Sequence, residues 1–113
     1  MDEVAVERVL RAVEAIPRGR VAAYGDIGGV VGIGPRQVGW VMQAYGSTVP
    51  WWRVTNAAGD LPQALLDEAR VAWAREGIAA KPGGHGCRIA DHRADLEALA
   101  RAWELAVADL PRG

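Results

Sequence analysis

Apolar residues recur at a helical spacing over much of this chain, and glycine or proline interrupts the pattern at a few points. Over residues 4–16, Val6, Val9, Leu10 and Val13 share one arc, with Glu7, Arg8, Arg11 and Glu14 outside it. Pro17-Arg18-Gly19-Arg20 stops that helix. Val21 to Tyr24 reads as extended, and Gly25-Asp26 opens a short second helix that reaches about Val31. Gly32-Ile33-Gly34 is a tight turn, and Pro35 suits the first position of a third helix over about 35–45. There Val38, Val41, Met42 and Tyr45 fall on one side, and Arg36, Gly39, Trp40 and Gln43 on the other. Val54-Thr55 reads as strand and Asn56 to Asp60 as loop. A helix follows over about 63–76, with Leu65, Leu66, Ala69, Ala72 and Trp73 apolar and Gly77 as its stop. Ile78 and Cys87-Arg88-Ile89 read as short strands around the loop Lys81 to Gly84. A last helix over about 92–109 aligns Leu96, Leu99, Trp103, Val107 and Leu110. The pattern predicts one mainly helical α+β domain over residues 1–113, with a small β element.

Two places break the simple amphipathic rule. The outward side of helix 35–45 carries an arginine, a glycine, a tryptophan and a glutamine. Glycine costs a helix about 1 kcal/mol relative to alanine, so Gly39 needs a reason, such as close approach of another backbone. The short helix, glycine turn and second helix form a helix-turn-helix pattern, which packed helix pairs without DNA also show. The second place is Pro50-Trp51-Trp52-Arg53-Val54. In an extended segment Trp51 and Trp52 would point to opposite sides. Aromatic surface beside a fixed cation suits a flat base, but on these five residues alone the core reading is stronger. Trp73 and Trp103 lie at core spacing and read as packing.

Composition narrows the class. The chain has 113 residues, half of them hydrophobic and about a quarter charged, as in an ordinary globular domain. No apolar run approaches the ~20 residues of a membrane span, and Met1-Asp2-Glu3 lacks a signal-peptide pattern. With one cysteine, no internal disulfide forms, which fits a cytoplasmic location. Formal net charge is −1, so the chain as a whole is not drawn to nucleic acid. The middle differs: Arg18, Arg20, Arg36 and Arg53 stand against Asp26 alone. His85, Cys87, Asp91 and His92 are the one cluster of candidate metal ligands. Their spacing matches no zinc framework, and neither metal nor cofactor is expected.

Three ordered motifs then carry a resemblance. Ile16-Pro17-x-Gly19-x-Val21-x-x-Tyr24-Gly25-Asp26-Ile27 is followed by Pro35-Arg36-Gln37-Val38-Gly39-x-x-Met42 and Val49-Pro50-Trp51-x-Arg53-Val54. Over about residues 4–77 the chain resembles the DNA-binding domain of the O6-alkylguanine-DNA alkyltransferases, and specifically the alkyltransferase-like proteins. The transferases carry Pro-Cys-His-Arg-Val, in which the cysteine accepts the alkyl group. Trp51 stands at that cysteine, and an indole has no thiol to alkylate.

The resemblance implies a winged helix-turn-helix-like domain that binds duplex DNA containing O6-alkylguanine, is not an enzyme, and marks the lesion for nucleotide excision repair proteins. It implies that helix 35–45 enters the minor groove, that Arg36 is the finger replacing the flipped base, and that Tyr24 presses on the adjacent phosphate. Trp51 and Val54 would line the pocket, with Arg53 shaping it from behind. A monomer without membrane contact is expected. DNA contacts are expected from Tyr24, Arg36, Gly39, Trp40 and Gln43. The lesion pocket is expected from Tyr24, Trp51, Trp52, Arg53 and Val54. Three positions depart from the family. Trp52 replaces the transferases' histidine, Trp40 stands where relatives have a small or polar residue, and Leu61-Pro62-Gln63-Ala64 has no basic residue. With the resemblance, the outward place of Trp40 on the helical arc predicts that it touches DNA or lines the pocket mouth. The alternative is a helix-turn-helix transcriptional regulator that reads undamaged DNA. The C-terminal helix lies outside the resemblance and reads as core or partner docking.

Overall fold

Helix α1 (Glu3–Glu14) starts where Asp2 accepts a hydrogen bond from the backbone N–H of Ala5 (2.8 Å), satisfying one of the free donors of the first turn. It buries the predicted stripe of Val6, Val9, Leu10 and Val13. The computed structural model describes residues 1–111. Strand β1 (Ala22–Ala23) pairs in parallel with β2 (Val54–Thr55), Ala22 opposite Val54 and Ala23 opposite Thr55. This pairing fixes the start of α2 (Tyr24–Val31) beside the tryptophan segment, because Tyr24 follows β1 directly and Arg53 precedes β2 directly.

Helices α2 and α3 (Pro35–Tyr45) form the helix-turn-helix. Gly32 ends α2 at φ 92°, a left-handed conformation that favours glycine. At Gly28 a Cβ would come 2.4 Å from the Ile33 carbonyl oxygen, so the tight turn onto α3 requires its glycine. Pro35 opens α3, and Gln37 Oε1 accepts from Gly34 N–H (3.0 Å). Val38 and Val41 are fully buried, as the helical arc predicts. Tyr45, expected with them, is instead 46% exposed and meets Trp40 edge-on at 6.0 Å. It closes the last turn of α3, where the apolar arc has moved off the core.

The later elements depart more from the periodicity. The helix expected over 63–76 starts as a 3-10 turn (Gln63–Leu65) and becomes α4 (Leu66–Glu76). Leu65 therefore leaves the buried face and is exposed. The expected strands at Ile78 and Cys87–Ile89 reduce to isolated bridges, Asp60 to Gly86 and Ala80 to Cys87. Ile89 instead begins a one-turn helix, α5 (Ile89–His92). The helix expected over 92–109 is α6 (Leu96–Ala106), capped by Asp95, which accepts from Ala98 N–H (3.1 Å). Arg93 turns extended between α5 and α6, because Val21 and Ala94 hydrogen-bond there and continue the β1 edge.

Two apolar clusters result. The larger joins α1, α2, α3 and α6, with Ile16, Ile27, Val54, Leu99 and Trp103 among its buried residues. The smaller gathers Val21, Leu61, Leu66, Trp73, Ile78 and Cys87. Trp51 and Trp52 pack against the smaller one. Trp73 and Trp103 are core residues whose indole N–H groups reach the carbonyls of Trp52 and Arg8, both at 2.8 Å.

Candidate nucleic-acid interface

A cleft of about 1010 Å³ opens along the seam between the two clusters. That is at the upper end of the roughly 300–1,000 Å³ of small-molecule pockets. One side is the outward face of α3, with Pro35, Arg36, Gly39, Trp40, Met42 and Gln43. Tyr24, Trp51 and Val54 form its floor, and Leu61, Pro62, Leu65 and Glu68 the opposite lip. Every residue expected at the DNA face therefore lines this cleft: Tyr24, Arg36, Gly39, Trp40 and Gln43. Trp40 is half exposed. A Cβ at Gly39 would meet nothing of the protein within 4 Å, so nothing inside the molecule explains the glycine. Burial raises the Tyr24 phenol above its ordinary pKa.

Of the residues expected in the lesion pocket, Tyr24, Trp51 and Val54 line the cleft and Trp52 and Arg53 do not. The reason is local backbone. Residues 51–53 form a 3-10 turn, not an extended segment, with Arg53 N–H on the Pro50 carbonyl (3.1 Å). The two indoles are therefore perpendicular neighbours, 5.8 Å apart at 82°, and do not lie on opposite faces. Trp51 turns to the cleft, and Trp52 turns back toward α4.

Behind the turn, Glu76 collects hydrogen bonds from three residues in two segments. It accepts from Trp52 Nε1 (2.7 Å), from Arg53 Nε (3.0 Å) and Nη2 (2.9 Å), and from Gly19 N–H (2.9 Å). Arg53 Nη1 also donates to the Ile16 carbonyl (3.0 Å). The Glu76 side chain is only 3% exposed and that of Arg53 13%. Burial pushes the Glu76 carboxyl up, but hydrogen bonds from Arg53, Gly19 and Trp52 outweigh it and leave it below its ordinary 4.5. Glu76 carries no motif and sequence reasoning missed it. One signal was present: an acid in the last turn of a helix opposes the macrodipole, so it calls for a partner elsewhere.

Two members of the histidine and cysteine cluster have structural roles. His92 Nε2 accepts from Ala79 N–H (3.0 Å), and Cys87 is buried, its thiol pushed up to about 11 by desolvation.

The description "6-O-methylguanine DNA methyltransferase, DNA binding domain" fits residues 5–78 as a family model. The chain belongs to this family. Within it, the DNA base-flipping protein of Escherichia coli (strain K12) is 39% identical over 84 residues, covering 69% of this chain. The same figures hold for the DNA base-flipping protein of Shigella flexneri. The match spans 65% of these relatives' own length. Among solved structures, S. pombe Atl1 in complex with damaged DNA containing O6-carboxymethylguanine matches with a TM-score of 0.70 at 27% identity. That match covers 82% of this chain and 96% of the other. The mainly helical fold with its helix-turn-helix and small sheet is the fold of that protein.

Proposed function

We propose that this protein recognises O6-alkylguanine in duplex DNA by flipping the nucleotide into the cleft, holds it without chemistry, and thereby marks it for nucleotide excision repair. The observation that carries the reading is Trp51: the indole that the resemblance sets at the transferases' acceptor position faces an open cleft beside the helix that carries Arg36. Names among the relatives support it, since two are DNA base-flipping proteins and a third is solved with alkylated DNA.

In this reading α3 enters the minor groove and Arg36 fills the space the base leaves, its guanidinium stacking on the neighbouring pairs. Tyr24 presses on the adjacent phosphate. The base settles between Trp51, Val54 and the Leu61-Pro62 lip, where its alkyl group is shed from water. Extrusion costs a few kcal/mol and least for a badly paired base, so the lesion leaves the stack more readily than guanine. Trp51 offers no nucleophile, and the buried Cys87 thiol is protonated at neutral pH, so the alkyl group stays on the DNA. The protein acts as a cytoplasmic monomer on nucleoid DNA.

Titration of matched duplexes with and without O6-methylguanine, at two salt concentrations, tests this. The expected result is a clear preference for the modified duplex that persists at the higher salt, with the alkyl group recovered intact from the DNA. Equal affinities would leave a regulator of undamaged DNA as the better reading, and transfer of labelled alkyl to protein would overturn the non-enzymatic one.

A further inference from the structure

Among the described residues, two charged side chains line the cleft: Arg36 on α3 and Glu68 on α4. Glu68 stands in the first turn of α4, on the same lip as the apolar Leu61, Pro62 and Leu65. Three basic groups of the segments from the tryptophan turn onward are engaged elsewhere. Lys81 pairs with Asp60 and donates to the Ala58 carbonyl (2.9 Å). Arg70 donates to the Gly84 carbonyl (2.7 Å), and Arg53 is locked on Glu76 behind the cleft. In the proposed complex Arg36 occupies the base stack, not the pocket. The substituent on a flipped guanine then faces apolar surface and a carboxylate, with no cation to offset it.

We infer that this cleft takes uncharged O6 substituents and discriminates against anionic ones, with Glu68 as the specificity-determining residue. The inference rests on the proposed recognition of O6-alkylguanine and narrows its substrate class. A methyl or other neutral alkyl group gains by burial against Leu61 and Leu65. A carboxymethyl group brings a second negative charge toward Glu68 and is repelled. S. pombe Atl1 is solved with that anionic adduct, so the preference would separate this chain from that relative. An acid in a first helical turn also complements the helix dipole, but Asp67 does so equally and does not line the cleft.

Four duplexes of one sequence test the idea, carrying guanine, O6-methylguanine, O6-carboxymethylguanine and its neutral isostere O6-carboxamidomethylguanine. Each is titrated with the protein, Glu68→Gln and Asp67→Asn at low and high salt. For the unaltered protein the carboxymethyl duplex should bind about fivefold more weakly than the carboxamide, the scale of one water-screened like-charge contact. The gap should narrow with salt, close in Glu68→Gln and remain in Asp67→Asn. Equal affinity for the two isosteres, or a gap that survives Glu68→Gln, overturns the inference while leaving alkylguanine recognition standing. If neither the methyl nor the carboxamide duplex binds better than guanine, recognition itself fails and the inference falls with it.

Discussion

Alanine at Gly39 would meet no atom of the protein within 4 Å, so its methyl group is free of steric cost in the unbound molecule. Helix propensity then favours it by about 1 kcal/mol. Gly39→Ala should raise the thermal midpoint by a few degrees. In the proposed DNA complex the same methyl would lie between α3 and the duplex, so affinity should fall. Opposite signs in a melting curve and a DNA titration are the expected signature, and a variant that gains in both would remove Gly39 from the contact. Trp40, half exposed and touching Tyr45 edge-on, carries the complementary argument. Trp40→Ala should barely alter stability, yet lose affinity on the scale of one base–aromatic contact, about 1–3 kcal/mol. At this scale the sequence was informative. A 3.6-residue period sorts the face of α3 correctly at Arg36, Gly39, Trp40 and Gln43. It fails at Tyr45, where the helix ends and the neighbours, not the period, decide what is covered.

The 3-10 turn at residues 51–53 shows what periodicity leaves out at the scale of an element. Pro50 and the paired tryptophans announce a shaped segment, but its shape depends on Glu76, more than twenty residues away in sequence, and on the Ile16 carbonyl. No local pattern encodes such a partnership. Removing the carboxylate strands Arg53 in a buried site, so Glu76→Ala should cost about 3–5 kcal/mol in denaturant unfolding. Glu76→Gln separates charge from shape and gives the pH dependence. The folded carboxyl lies below its ordinary 4.5, so the unfolded chain binds the proton more readily. The stabilisation is therefore complete above 4.5 and is lost as pH falls through the lower folded value. The stability gap between the protein and Glu76→Gln should be widest near neutrality and shrink below about pH 4, measured by urea unfolding at each pH. A gap independent of pH would mean that the carboxylate's charge does not hold the turn.

At the scale of the molecule, the cleft exists because two apolar clusters meet without merging. One holds Val54 and Tyr24, the other Trp51 and Leu61. The larger cluster was largely legible as helical stripes, the smaller one only along α4, through Leu66, Ala69 and Trp73. The seam was not, since Leu65 and Glu68 reach it only because a 3-10 turn rotates the entry to α4. Helix α6 lies outside the family match, but it is not an appendage: its Leu99 and Trp103, with Val107 just after it, are buried in the larger cluster, and Arg8 lies 4.8 Å over the Trp103 ring. Trp103 and Trp51 therefore make opposing predictions. Trp103→Ala opens a core cavity at a residue that does not line the cleft and should cost about 3–5 kcal/mol of stability. Whatever remains folded should keep its preference for O6-methylguanine over guanine. Trp51→Ala removes a partly exposed cleft surface, so it should cost less stability and lose most of that preference. Ratios of modified to unmodified affinity, taken well below each variant's melting temperature, separate the two effects. Should Trp103→Ala alter the ratio as much as Trp51→Ala, lesion preference would belong to the packing of the whole domain and not to the indole that lines the cleft.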